Sequence, residues 1–224
     1  MKKESLKDQL AEQHAVQVPA LNENLSDKTA YPIHLQMLFK AVEFALQKEE
    51  VFMEIARKRR RKEVPFYKQM KIHFNTNGIK VHKNTYPKGT KMSDVVFEIC
   101  GLKYHNEVGH RTILQSKPAF WTLNKAKDGF QKMDEGGVDP PNQICIEILT
   151  DFVGECEHYR DNYPVFQSYL GHYYNSQDRN VRLQDVKTSI AKEYGNNLEY
   201  FTKSLKIEHD LKMHLHIWVI WRQF

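Results

Sequence analysis

The segment "KMHLHIWVIWRQF", residues 212–224, constrains the fold more than any other stretch. Met213, Leu215, Ile217, Val219 and Trp221 alternate with His214, His216, Trp218, Ile220 and Arg222. A period of two is the period of a β-strand. A strand this apolar and aromatic invites aggregation if its edges stay open, so the chain must contain a sheet that pairs it.

Elsewhere the periods are helical. After Pro32, Leu35, Leu38, Phe39, Val42 and Leu46 recur at steps of three and four, one face of a helix. Phe52, Ile55 and Ala56 begin a second stripe, so residues 33–57 form two helices with a turn near Lys48–Glu50, or one bent helix. Pro65 restarts the helix, and Phe66, Met70 and Phe74 mark a third, closed by Asn77-Gly78. Ile79 and Val81 suit a short strand, "KNTYPKGTK" a polar loop, and Val95, Phe97 and Ile99 a second strand. This order of three helices, strand, basic loop and strand resembles a winged helix over residues 33–100. The resemblance implies a third helix lying in a major groove with Lys68, Gln69, Lys71 and Asn75 outward, and the loop 83–91 as the wing.

Past Gly101 the pattern weakens until Pro118, where "PAFWTLNKAKDGFQKM" reads as a helix ending at the glycines of "DEGGVDPP". In "NQICIEILTDFVGECEHYR", Ile144, Ile148, Phe152 and Cys156 predict an amphipathic helix with Glu147, Asp151 and Glu155 on another side. "PVFQSYLGHYY", "VRLQDVKTSIAKEY" and "NLEYFTKSLKI" predict further helices. The expected fold is α+β and mainly helical. A tail spans residues 1–30, a basic winged-helix-like region 31–115, and a helical region with the terminal strand 116–224, which can form one unit with the region before it.

Charge is sorted along the chain. Residues 57–92 hold twelve Lys or Arg and one acid, Glu63, for a net +11 in a chain of net +5. Residues 134–161 hold eight acids and Arg160 alone. Six consecutive cations, 57–62, cannot share one helix face, and like charges one turn apart weaken the helix. A solvated helix end or a nuclear address would explain that run by itself. Phosphate binding explains it together with the cations that follow. The candidate nucleic-acid-binding residues are Arg57, Lys58, Arg59, Arg60, Arg61, Lys62, Lys68, Gln69, Lys71, Lys80, Lys83, Lys88 and Lys91. The expected function is a non-enzymatic nucleic-acid-binding protein, with DNA ahead of RNA. The alternative is an interaction subunit in which Glu147, Asp151 and Glu155 meet a basic partner.

His214 and His216 share a strand face, as a metal site needs. Rolling-circle nickases contain a similar pair, but no tyrosine follows it here, and a nickase or nuclease built on it ranks third. Cys100, His105 and His110, and the Glu-x-x-His pairs at Glu107–His110 and Glu155–His158, are incomplete ligand sets. No metal or cofactor is expected. Phosphate-binding glycine loops and nucleophile elbows do not occur. Three cysteines, no secretory leader and no apolar run of membrane length give the expectation of an intracellular protein, nuclear in a eukaryote.

Overall fold

The computed structural model describes residues 31–57, 61–88, 92–113, 117–153, 176–208 and 211–222. The tail 1–30 and the helix read at 164–174 lie outside them. The chain divides into two units, 1–36 and 37–224. Pro32 O accepts the amides of Leu35 and Gln36 in the first unit, where helix α1 (Ile33–Leu46) starts, and from Met37 onward this helix belongs to the second.

In the second unit, α2 (Glu49–Arg57) and α3 (Val64–Thr76) follow, the latter with proline in its first turn, where a missing amide costs nothing. Gly78 at φ +71 closes α3, a conformation open to glycine at no steric cost. Six strands come next: β1 (Lys80–Val81), β2 (Val95–Ile99), β3 (Leu102–Thr112), β4 (Gln143–Val153), β5 (Leu198–Glu208) and β6 (Leu211–Trp221). Helix α4 (Pro118–Glu135) joins β3 to β4, and α5 (Ser176–Tyr194) precedes β5. The sheet order is β1-β2-β3-β4-β6-β5. Only β3 and β4 pair in parallel, which is why a helix must cross between them. The sheet curves into a half-barrel.

Its two faces are covered by different helices. One face carries Phe97, Ile144, Ile148, Ile217 and Trp221. There Phe74 of α3 stacks on Phe97 at 4.6 Å, and Phe39 of α1 meets Phe201 and Trp221. On the other face Cys145 Sγ contacts Ala126 O of α4 at 3.4 Å, and Arg179 of α5 pairs with Asp151. The result is three layers: helices, sheet, helices. No described helix is long and apolar enough to cross a membrane.

This corrects the mainly helical, winged-helix-like expectation. Residues 143–153 form a central strand and not a helix. Ile144, Ile148 and Phe152 stand four apart, and four is close to one helical turn but also a multiple of two. Both strand faces are buried, so the polar alternation that marks a half-buried strand is missing. Residues 198–208 are likewise a strand, paired along β6. The weak stretch after Gly101 is β3, hidden by its inward polar residues. Cys100 and Gly101, both at positive φ, form the two-residue turn that pairs Ile99 with Leu102. Of the loop read as a wing, residues 83–88 are not free either, and 89–91 lie outside the described residues. Thr85 bridges to Met92, Lys88 N donates to Gly136 O at 2.8 Å, and Tyr86 is 4% exposed.

Candidate nucleic-acid interface and carboxylate cluster

Helix α3 buries Phe66, Met70 and Phe74 and turns Lys68 and Asn75 to solvent. Arg57, Arg61, Lys68, Lys80, Lys83 and Lys88 are exposed, as phosphate contacts require. Lys62, Gln69 and Lys71 are half-buried. Burial holds the Lys62 and Lys71 ammonium groups below their usual pKa, with Asp94 opposing the shift at Lys71. Gln69 Nε2 donates to Glu50 Oε1 at 3.3 Å, which occupies a side chain expected to read bases. Lys58, Arg59, Arg60 and Lys91 lie outside the described residues.

Tyr86 belongs to the loop read as polar, yet it is not at the surface. It is buried, stacks on His105 at 5.7 Å, and its hydroxyl donates to Glu107 Oε1. Lys132 Nζ of α4 stands 3.6 Å from the second oxygen of Glu107. Asp94, just before β2, accepts the amide of Val108 at 2.9 Å. Burial raises the pKa of Asp94, opposed by that hydrogen bond and by the fields of Lys125, Lys132 and Lys71. Burial also raises Glu107, with Asp94 adding to the shift while Tyr86, Lys132 and Lys125 oppose it. The basic segment therefore ends within a carboxylate cluster: Tyr86 binds one acid and Lys71 acts on another.

Glu147 joins this cluster from β4, opposite Gly109 on β3. It is 2% exposed, and its Oε2 lacks a hydrogen-bond partner. Burial pushes its pKa up to about 8, against the fields of Lys125 and Arg111. A Cβ on Gly109 would overlap the Glu147 carboxyl group. Gly109→Ala should cost about 1–3 kcal/mol, the usual range for an overpacked site, because the buried carboxyl must move. The double variant Gly109→Ala/Glu147→Ala should recover much of that loss in urea melts. Additive losses would show that the two sites do not collide.

Glu147 and Asp151 are buried, so they form no solvated stripe for a basic partner, and Glu155 lies outside the described residues. Glu107 and His110 lie on a strand three residues apart and so point to opposite faces, which removes the helical Glu-x-x-His arrangement there. Among the described residues no three His, Cys, Asp or Glu side chains are placed to hold a metal ion. His214 and His216 do share a face, beside Asp151 and Leu149 of β4.

Sequence reasoning passed over Asp94, and it placed Tyr86 and Glu147 on the surface. One signal was available: a glycine inside a strand, such as Gly109, marks a close approach by another group. No family model, curated protein or solved structure matches the chain at a significant level.

Proposed function

We propose that this protein binds nucleic acid through its basic segment. The observation that carries the proposal is the exposure of six cations between Arg57 and Lys88, in a segment whose Tyr86 anchors it to Glu107. A polyanion held by those cations gains affinity from counterion release, whatever its base sequence. Duplex DNA is the first ligand to test.

Binding should weaken steeply with salt, with a slope of log K against log salt of about −0.9 per phosphate neutralised. Replacing Arg57, Arg61, Lys68 and Lys83 with Gln should flatten the slope by about that amount for each phosphate left without its cation, equally on all sequences. Gel shifts over a salt series test this. No binding of duplex or single strands at low salt would overturn the proposal, and the run 57–62 would then be a localisation address or a partner surface.

A second reading is favoured by the acids that meet this segment. Mg²⁺ is commonly held by one or two carboxylates plus substrate phosphate oxygens, so it needs no prebuilt cage of three protein ligands. Asp94, which is half-buried, would take that role, with Lys132 and Lys125 offsetting the charge of the phosphate oxygens. Water would attack the phosphorus, the P–O ester bond would break, and a proton lost by that water would pass to the leaving oxygen, giving the alcohol. On this reading, supercoiled plasmid is nicked with Mg²⁺ or Mn²⁺, and Asp94→Asn loses nicking while keeping the gel shift. Cleavage that survives Asp94→Asn, or absence of cleavage by the unaltered chain, rules the second reading out and leaves binding standing.

A further inference from the structure

We propose that Phe120 and Trp121, exposed side by side on α4, are a stacking platform for unpaired bases, so that the polyanion this protein binds best is a single strand. The inference rests on the nucleic-acid reading above and narrows it to one class of ligand.

Helix α4 buries Pro118, Thr122, Ala126, Gly129, Phe130 and Met133. Steps of three and four set that stripe. Phe120 and Trp121 fall outside it and are 52% and 46% exposed. Their ring centroids lie 5.2 Å apart at 77°, an edge-to-face pair. In such a pair each ring leaves at least one face unused by the other. A lone exposed apolar side chain needs no explanation, but two adjacent aromatic rings make a patch that a partner can use.

The surroundings choose the partner. Residues 111–127 contain Arg111, Lys117, Lys125 and Lys127 and no acid. Lys127 is paired with Glu193 at 2.7 Å. Lys117 is exposed, and Arg111 and Lys125 are half-buried. Trp121 and Lys125 stand four residues apart, on one side of α4. Lys125 and Lys71 of α3 both act on Asp94, so α4 and the basic segment share that neighbourhood. Burial, then the charges of Lys62 and Arg111, push the His110 pKa down to about 3. Lys62 therefore lies near the end of β3, from which the chain runs on into α4.

Aromatic rings among cations are the combination that holds single strands. The cations neutralise phosphates, and every base has a π-face to lay on a ring. In a duplex those faces are already stacked on neighbouring pairs, so a duplex keeps the phosphate contacts and gains nothing from the rings. A protein partner or a lipid surface would use the rings as apolar area, for which leucine serves nearly as well.

Oligothymidine and a duplex of equal length, titrated into the full chain over a salt series, test this. Trp218 is buried and Trp221 half-buried, so Trp121 is the tryptophan most open to a base. Oligothymidine should quench tryptophan fluorescence and bind more tightly than the duplex. Trp121→Ala should weaken oligothymidine binding about 5- to 150-fold, the range for losing one base–aromatic stack, and leave duplex affinity and the salt slope unchanged. Trp121→Leu should behave like the alanine variant. Trp121→Phe should keep the affinity and lose the quenching. Oligothymidine bound no tighter than duplex, or bound equally by Trp121→Ala, would overturn the platform and leave phosphate binding standing. Full affinity in Trp121→Leu would overturn it as well, and vesicles of phosphatidylglycerol bound by the native chain but not by Trp121→Ala would make the rings a membrane contact. No binding of either nucleic acid would remove the nucleic-acid reading itself.

Discussion

Removing residues 213–224 should leave no folded protein. Strand β6 lies between β4 and β5 and pairs with both along its length. Met213, Leu215, Ile217 and Val219 are wholly buried on one face, and Trp218 is buried on the other. Each such side chain contributes about 1.5–3 kcal/mol by burial, and together they rival the 5–15 kcal/mol by which a domain is stable. The cut would also open the apolar β4 along a whole edge. Size-exclusion chromatography and circular dichroism of the shortened chain should show aggregate or coil. A monomer with a cooperative melt would mean that β6 is dispensable to the sheet.

Glu147→Gln should change how stability depends on pH. The Glu147 carboxyl titrates at about 8 when folded, against an ordinary value of 4.5. Its folded pKa is raised, so its contribution is fully present below pH 4.5 and is lost as pH climbs toward 8. Asp151, raised to about 6 by burial against the opposing charge of Arg179, acts in the same sense over a narrower window. His216 runs the other way, because its pKa is depressed to about 3: its contribution is present above 6.5 and lost as pH falls. Glutamine keeps the shape of Glu147 and cannot ionise. The variant should therefore gain a few kcal/mol over the native chain at pH 8.5, on the order that a shift of this size implies. Near pH 5 it should gain little. Urea midpoints between pH 5 and 9 check this, and parallel curves for the two proteins would mean that Glu147 is ionised in the fold.

Much of the outer helical layer could be read directly. Pro32, Pro65 and Gly78 punctuate α1 and α3, and the stripes Leu35–Leu46 and Phe66–Phe74 name the buried faces. Helix α4 and strands β2 and β6 could be read for the same reason, since each has one dominant period. The middle of the sheet could not. In β4 the apolar spacing of four fits both helix and strand, and in β3 the buried His105, Asn106 and Glu107 imitate a loop. For the candidate site, the exposed cations were visible as a charge run, and His214 and His216 as a pair. The place of Asp151 opposite His214 was hidden because a register between β4 and β6 cannot be read from either strand alone. The same holds for Asp94, Glu107 and Glu147, which reach one another only across three strands.

The order of the strands also sets a timetable for the growing chain. Strand β4 leaves the ribosome with β3 available on one side, but its other neighbour, β6, comes only after residues 154–210 have been made. At about 5–20 residues per second that delay lasts several seconds. During it, Ile144, Ile146 and Ile148 present an unpaired apolar edge. Folding of the sheet is thus completed late in synthesis, and the yield of soluble protein in a cell should respond to chaperone supply and to slower translation between β4 and β6.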